Sequence, residues 1–252
     1  MMKTDQKQKI VNSFKARSET YFRDNYELDK NILRQNRYRL INCKLKALLQ
    51  PGWNVLDCGA GPAVFAKMIK ERSVQYFASD ISSHNLHQGM LREGNLNCVA
   101  ADTEMLPFQN GSFHLVLSIG SLEYIPGLQN ALAEIVRITK PGGLIIATFA
   151  NKHSPSRWWN EKIVIPLSML KKQLKNGNTN AYSRYLQSCR QIETMFNQRG
   201  AEIRERVFYN QGLLGYPVSN IKIVEDYLEK LSQENRLINR LNSEFLIIAR
   251  KK

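Results

Sequence analysis

The feature that most constrains the fold is a regular alternation of short apolar runs with helix-like segments between residues 53 and 149. Within the apolar runs, polar and apolar residues hardly alternate, as is typical of parallel strands that helices cover on both faces. The pattern therefore predicts an α/β fold built on a doubly wound sheet. The predicted strands lie at 53–57, 75–79, 97–101, 113–118 and 144–149, and the predicted helices between them at 62–72, 82–93 and 131–139.

The rest of the chain predicts additions to that sheet. Strands are expected at 201–209 and 245–249, a helix at 188–199, and a long amphipathic helix at 219–241. No internal repeat or flexible linker is visible, so we expect one domain. Its four parts are an N-terminal helical cover (1–50), a core (51–150), a helical insertion after the fifth strand (151–190), and C-terminal helices with the last two strands (191–252).

A glycine-rich turn follows the first predicted strand, in the sequence VLDCGAG at residues 55–61. Glycine lets a ligand approach the backbone closely because no Cβ intervenes. Asp80 ends the second strand, 19 residues after Gly61, where a carboxylate can hold both hydroxyls of a ribose. Asp102 follows the third strand, where its side chain can reach an adenine amino group. Small residues end the fourth strand, in SIGSLEY at 118–124. These positions predict a nucleoside site at one sheet edge.

Together these segments resemble successive motifs of the class I methyltransferases, and most of all those that act on small molecules, including the methyltransferases of quinone biosynthesis. The resemblance covers about residues 45–150. It implies a Rossmann-like sheet of about seven strands with an antiparallel last strand, and S-adenosylmethionine as the methyl donor. The segments that carry it are DCGAG (57–61), SDI (79–81), AD (101–102), LPF (106–108), FHLVLS (113–118), LEY (122–124) and KPGG (140–143).

The resemblance also implies roles for residues of the donor site. Gly59 and Gly61 are expected beside the methionine part of the donor, Asp80 on the ribose and Asp102 near the adenine. The N-terminal segment is expected to fold over the donor, and no metal site is expected. The full set of expected donor-site residues is Asp57, Gly59, Ala60, Gly61, Asp80, Ile81, Asp102, Thr103, Ser118 and Tyr21.

If the acceptor is a hydroxyl or a carbon acid, a general base assists the transfer. Tyr124, Glu123 and His153 are candidates by position alone, the last because it follows the fifth strand. His114 stands where the family usually has Asp. It opens a strand at the end away from the site, so we expect it to be structural.

The net charge of +14 is concentrated in two segments, because residues 1–50 and 151–190 carry +7 each and the others sum to zero. The second also contains Trp158, Trp159 and an apolar run at 163–170, which is either ordinary core or a hydrophobic lid. We therefore expect an acceptor that is anionic and partly hydrophobic, reached in the cytosol or at the membrane face. A basic helical stripe is expected to be a solvated face; it consists of Lys30, Arg34, Arg37 and Lys44.

The chain has four cysteines without C-x-x-C spacing, which predicts reduced thiols and a cytoplasmic protein. No apolar run of 18 residues or secretory signal is present.

The expected function is methyl transfer to an oxygen, nitrogen or carbon atom of a small molecule. One alternative is a tRNA or rRNA methyltransferase, which the pI of about 9.7 favours. Another is a dinucleotide-binding oxidoreductase, although Ala63 stands where such a motif has its third glycine. A third is a non-catalytic protein that binds S-adenosylmethionine.

Overall fold

The computed structural model describes residues 7–8, 11–12, 32–167, 184–210, 212–213, 227, 230–231 and 234–252. The described strands are β1 (Asn54–Cys58), β2 (Gln75–Asp80), β3 (Asn97–Ala100), β4 (Phe113–Ser118), β5 (Thr139–Ala150), β6 (Ala201–Tyr209) and β7 (Glu244–Lys251). They form a seven-stranded sheet in the order β3-β2-β1-β4-β5-β7-β6. Neighbours from β3 to β5 are parallel, whereas β7 is antiparallel to both β5 and β6. The expected doubly wound, mostly parallel seven-stranded sheet is confirmed.

Helices cover both faces of this sheet. Ser82 caps α3, because its side chain accepts a hydrogen bond from the Asn85 N–H. Ser188 caps α6 in a capping box with Gln191. The described helices are α1 (Ile32–Leu48), α2 (Ala66–Lys70), α3 (Ser83–Glu93), α4 (Leu128–Ile138), α5 (Pro155–Trp159), α6 (Cys189–Gln198) and α7 (Arg236–Asn239), with a 3-10 turn at Leu122–Tyr124 and a π-helical turn at Asn160–Val164.

Two apolar layers form because neighbouring residues of a strand point to opposite faces. Phe245 and Ile247 of β7 join one layer, with buried side chains of α4 and α6. Leu246 and Ile248 join the other, with buried side chains of α1, α2 and α3. Both faces of the inner strands are therefore apolar, which explains why their sequences do not alternate, whereas the edge strand β6 does alternate.

Three of the differences between the predicted and the observed element boundaries have a local structural cause. The helix expected at 62–72 is shortened to α2, because Ala63 has a φ of 53°, which an α-helix excludes. β5 begins at Thr139 and includes the KPGG segment, where the ladder with β4 has a register shift. Asn235 interrupts the helix expected at 219–241: it is extended (φ −122°) and caps α7. Much of that pattern lies outside the described residues.

His114 lies at the amino end of β4, as its position suggested. Its ring stacks on Trp53, and its Nδ1 accepts the Asn54 N–H at 2.9 Å. Burial, with a smaller contribution from Lys140, lowers the pKa of this histidine. All four cysteines are free thiols, with Cys58 buried and Cys43 exposed. In the described part of the chain, no helix is long and apolar enough to cross a bilayer.

Candidate active site

A pocket opens at the edge of the sheet where β1, β2, β3 and β4 end. It encloses about 960 Å³, part of which is open to solvent. This edge is where doubly wound folds bind their ligands. The lining residues are Lys7, Asp57, Gly59, Ala60, Gly61, Pro62, Val64, Phe65, Asp80, Ile81, Asn85, Asp102, Thr103, Ile119, Gly120, Ser121, Tyr124, Ile125 and Pro126.

The glycine turn after β1 forms the floor of the pocket. Its backbone N–H groups at Gly59 and Ala60 both donate to the Ser79 carbonyl, at 2.7 and 3.0 Å. Gly59 (φ 68°) is packed so closely that a Cβ there would lie 2.7 Å from Ser121 Oγ. Gly61 (φ 55°) differs, because a Cβ there would meet nothing within 4 Å. Gly59 is therefore required by packing, whereas Gly61 borders open space in the pocket.

The Asp80 carboxylate holds the glycine turn in place. Its Oδ2 accepts the Gly61 N–H and its Oδ1 accepts the Ser82 N–H, both at 2.8 Å. Burial raises its pKa, although these hydrogen bonds oppose the shift. A carboxylate has about four acceptor positions; the Asn85 side chain also hydrogen-bonds to this one, and the remaining capacity is left for a ligand. The sequence pointed to Asp80 as a ribose partner but did not reveal its second role in fixing the turn.

Asp102 meets a residue from the N-terminal segment. Lys7 Nζ lies 2.5 Å from Asp102 Oδ2 and 2.8 Å from Glu104 Oε1. Asp102 Oδ1 also accepts the Glu104 N–H at 2.9 Å. The N-terminal segment therefore reaches the pocket at Lys7, which the sequence gave no reason to select. Tyr21, expected at the donor, lies outside the described residues.

Asp57 lies at the end of β1 beneath the turn, where the Tyr76 hydroxyl donates to its Oδ2 at 3.1 Å. Burial, with a smaller contribution from Asp80, raises the pKa of Asp57 from 3.8 to about 7, although the Tyr76 hydrogen bond opposes the shift. The folded chain therefore holds a proton on Asp57 at pH values where an exposed carboxyl has lost it.

Ser118 ends β4 behind the pocket wall. Its hydroxyl donates to the Cys58 carbonyl at 3.3 Å and lies 2.8 Å from Ser121 Oγ. Ser118 is fully buried, and the wall itself is formed by Ile119, Gly120 and Ser121. The structure thus brings eight of the expected donor-site residues to the pocket and places Ser118 one layer behind them.

Of the three candidate bases, Tyr124 lies on the pocket wall. Arg184 Cζ stands 5.5 Å from the centre of the Tyr124 ring, in a cation–π contact. Glu123 is buried beside it, with Oε1 3.9 Å from Arg184 Nε. His153 is exposed, and the structure does not bring it into the pocket lining.

A buried ion cluster supports the wall at Gly120. Arg37 donates through Nε and Nη2 to Glu244, at 3.0 and 2.6 Å, and Arg157 Nη2 lies 2.8 Å from the same carboxylate. Burial alone would raise the pKa of Glu244, but Arg37 and Arg157 outweigh it and lower the value to about 2. A Cβ on Gly120 would collide with the Arg37 guanidinium.

The cluster corrects the expectation of a solvated basic stripe on α1. The Arg37 side chain is only 11% exposed because it pairs with Glu244. Lys44 pairs with Glu205 of β6. Arg34 also has an interaction partner, and Lys30 lies outside the described residues. The stripe therefore joins α1 to the sheet at Arg37 and Lys44 rather than facing solvent.

Comparison with known proteins agrees with this geometry. Residues 56–147 match the model of a family described as a methyltransferase domain. A demethylmenaquinone methyltransferase of Beutenbergia cavernae is 33% identical over 128 residues, which is 50% of this chain and 53% of the relative. A malonyl-[acyl-carrier protein] O-methyltransferase of Serratia marcescens is 30% identical over 96 residues, 38% of each chain. The chain thus spans about two fifths to a half of the length of these curated relatives.

Solved structures show the same fold over nearly the whole chain. Magnesium protoporphyrin IX methyltransferase from Synechocystis PCC 6803, with bound S-adenosylhomocysteine, superposes with a TM-score of 0.64 at 13% identity and covers 98% of this chain and 100% of that one. A methyltransferase from Haloferax volcanii, in complex with the activator Trm112, gives 0.63 at 18% identity, covering 94% and 96%. Residues 56–147 therefore match a methyltransferase domain, in a chain that has the fold of solved methyltransferases.

Proposed function

We propose that the chain transfers a methyl group from S-adenosylmethionine to an oxygen, nitrogen or carbon atom of a small-molecule acceptor. The observation that carries the proposal is the pocket, in which the open glycine turn at Gly61 lies beside the carboxylates of Asp80 and Asp102. When bound, S-adenosylmethionine supplies a methyl group already activated by the positive sulfur. The protein then has to align two reactants and exclude water.

The residues of the donor half fit the parts of this cofactor. Gly59 and Gly61 would border its methionine part, since the turn leaves open space at Gly61. Asp80 would accept hydrogen bonds from the ribose hydroxyls with the acceptor positions that the turn does not use. Asp102 would receive the adenine amino group, in a region that Lys7 also borders. Ile81 and Thr103 would flank the base from the ends of β2 and β3.

The other half of the pocket supports an acceptor that is partly hydrophobic and anionic. Its wall is largely apolar at Ile119, Ile125 and Pro126. Arg184, which approaches over Tyr124, would offer a positive charge to an acidic group. Two relatives carry names that refer to a quinone and to a carrier-linked malonyl group. Tyr124 is the best placed of the three candidate bases, because Glu123 is held by Arg184 and His153 is exposed.

We also place the activity in the cytoplasm or at its membrane face, a proposal that the four free thiols support. The match to a methyltransferase family disfavours the alternative of a dinucleotide-dependent oxidoreductase. The RNA methyltransferase remains as one arm of the test below.

The test is a transfer assay with S-adenosylmethionine labelled in its methyl group. The acceptor panel contains demethylated quinone precursors, carrier-linked and free dicarboxylic acids, and bulk tRNA. Calorimetry measures donor binding in parallel. We expect donor binding, and labelled product from an apolar or acidic small molecule. Binding of NADH instead of S-adenosylmethionine would overturn the proposed reaction, and transfer confined to tRNA would overturn the proposed acceptor class.

A further inference from the structure

An exposed apolar surface lies on the segment that follows β5. It consists of Trp158, Trp159, Ile165 and Leu167, which we call the tryptophan face. Their exposed fractions are 57%, 44%, 44% and 61%. Four of the nine strongly exposed large apolar side chains in the described part of the chain thus fall within ten residues. Because these four side chains are exposed, they are not part of the ordinary core. Single apolar residues scattered over a surface need no explanation, but a cluster of four does.

The tryptophan face is held firmly from its other side. The Ser156 N–H donates to the Gly212 carbonyl at 2.7 Å, and Ser156 is buried. Arg157 donates to the Ser243 carbonyl at 3.2 Å and pairs with the buried carboxylate of Glu244. α5 is thus fixed to Gly212 through Ser156 and to the amino end of β7 through Arg157. The neighbouring tryptophans remain outside this contact.

The sequence segment that carries the tryptophan face is strongly basic. Residues 151–190 contain eight basic side chains and one acidic side chain, Glu161. Lys162 is exposed in the π-helical turn between the tryptophans and Ile165, and the sequence continues with Lys171 and Lys172. Each basic residue near an anionic bilayer adds to its attraction for the surface. Tryptophan rings are enriched at the headgroup level of membranes, because one end is apolar and the other donates a hydrogen bond.

We propose that the tryptophan face docks the protein on an anionic phospholipid surface. Trp158, Trp159, Ile165 and Leu167 insert at the headgroup boundary, and the basic residues of the segment attract the lipid phosphates. RNA would engage the charge but would leave Ile165 and Leu167 exposed to water. Glu161, in the turn that follows the tryptophans, interacts electrostatically with Arg184 and Glu123, and Arg184 contacts Tyr124 on the pocket wall, so docking brings the acceptor side of the pocket to the bilayer. Only this last step, delivery of a lipid-like acceptor, rests on the proposed function.

The chain has three tryptophans, which gives a direct test. In a Trp53→Phe variant, all tryptophan fluorescence comes from Trp158 and Trp159. This variant is mixed with vesicles of phosphatidylcholine alone, or of phosphatidylcholine and phosphatidylglycerol in equal parts. We expect an emission blue shift, quenching by brominated lipid and co-sedimentation with the anionic vesicles only, and we expect high salt to weaken all three.

Variants then locate the contact. Trp158→Ala with Trp159→Ala should weaken vesicle affinity of the otherwise native chain at least tenfold, and Lys162→Glu should weaken it several-fold. Leu91→Ala, at a more exposed apolar site on α3, and Lys46→Glu, on α1, should leave vesicle affinity unchanged. Denaturant unfolding and donor binding by calorimetry check that each variant is folded.

Absence of binding to anionic vesicles would overturn the docking proposal, as would binding that the double tryptophan variant retains. Retention on tRNA that the double variant loses would assign the face to nucleic acid instead. Methyl transfer to a small acceptor without vesicle binding would refute the docking proposal and support the proposed reaction. Vesicle binding without donor binding would support the docking proposal and refute the proposed reaction.

Discussion

Replacement of Gly61 by alanine separates the contribution of the glycine turn to folding from its contribution to donor binding. Gly61 has a φ of 55°, and a Cβ there would meet nothing within 4 Å. The left-handed conformation costs an L-residue about 1–2 kcal/mol, and the loss of glycine's freedom in the unfolded chain offsets about 0.4–1 kcal/mol of this. The expected net loss in the free energy of unfolding is therefore roughly 1 kcal/mol.

Gly200 provides a matched control. It has a φ of 75° and likewise no atom within 4 Å of an added Cβ, but it lies after α6, at the start of β6 and away from the pocket lining. Gly200→Ala should therefore lose a similar amount of stability. Only Gly61→Ala places its new methyl group in the donor space. An added methyl in a fitted site costs about 1–3 kcal/mol, which corresponds to a loss of donor affinity of about 5- to 150-fold.

The assays are urea unfolding of both variants and calorimetric titration with S-adenosylmethionine and S-adenosylhomocysteine. The expected result is equal destabilisation, with weakened binding in Gly61→Ala alone. If the two variants bind the donor equally well, the turn does not cradle the donor and the assignment of Gly61 is wrong. If Gly61→Ala is far less stable than Gly200→Ala, the structure misses a contact at this position.

Three further changes test the charged groups. Asp57→Asn should flatten the pH dependence of the free energy of unfolding. Folding raises the pKa of Asp57 from 3.8 to about 7. The stability that this carboxyl contributes is therefore fully present below pH 3.8 and is lost as the pH rises through about 7. Glu244→Gln should cost about 3–5 kcal/mol in urea unfolding, since Arg37 and Arg157 lose a buried partner. In the wild type, the contribution of Glu244 is present above pH 4.5 and is lost as the pH falls through about 2. Asp80→Ala should reduce donor affinity by about 1–3 kcal/mol in calorimetry, and unchanged affinity would contradict its role.

The sequence predicted the sheet well because its signals are local. Each strand from β1 to β4, and the carboxyl-terminal half of β5, is a short apolar run, and β4 and β6 begin and end at the predicted residues. The boundary errors arose where backbone conformation overrode composition. Ala63 adopts a positive φ and delays α2, although alanine is the best helix former. Asn235 stops a continuous apolar periodicity because its side chain caps the next turn.

The sequence predicted those parts of the site that lie at the ends of successive strands. The glycine turn and the strand-end carboxylates follow from the order of elements, and the structure brings them to one pocket. Lys7 and Arg37 were missed as partners because their contacts join residues 95 and 207 positions apart. No local pattern marks such a pair, and Arg37 on a helix has the same sequence environment whether it faces solvent or Glu244. The charge of such a residue can be read from sequence, but its burial cannot.

Because Asp80 has two roles, the effect of a single substitution in this pocket must be compared with that of a double variant. Its carboxylate fixes the Gly61 N–H and the Ser82 N–H at 2.8 Å each, so its removal frees the turn and also removes the expected ribose partner. A loss of donor affinity in Asp80→Ala therefore combines two effects. Gly61→Ala keeps the carboxylate, strains the turn and adds a methyl group in the donor space. If Asp80 acts mainly through the turn, the double variant should lose much less affinity than the sum of the single losses. If it acts mainly on the ribose, the two losses should add.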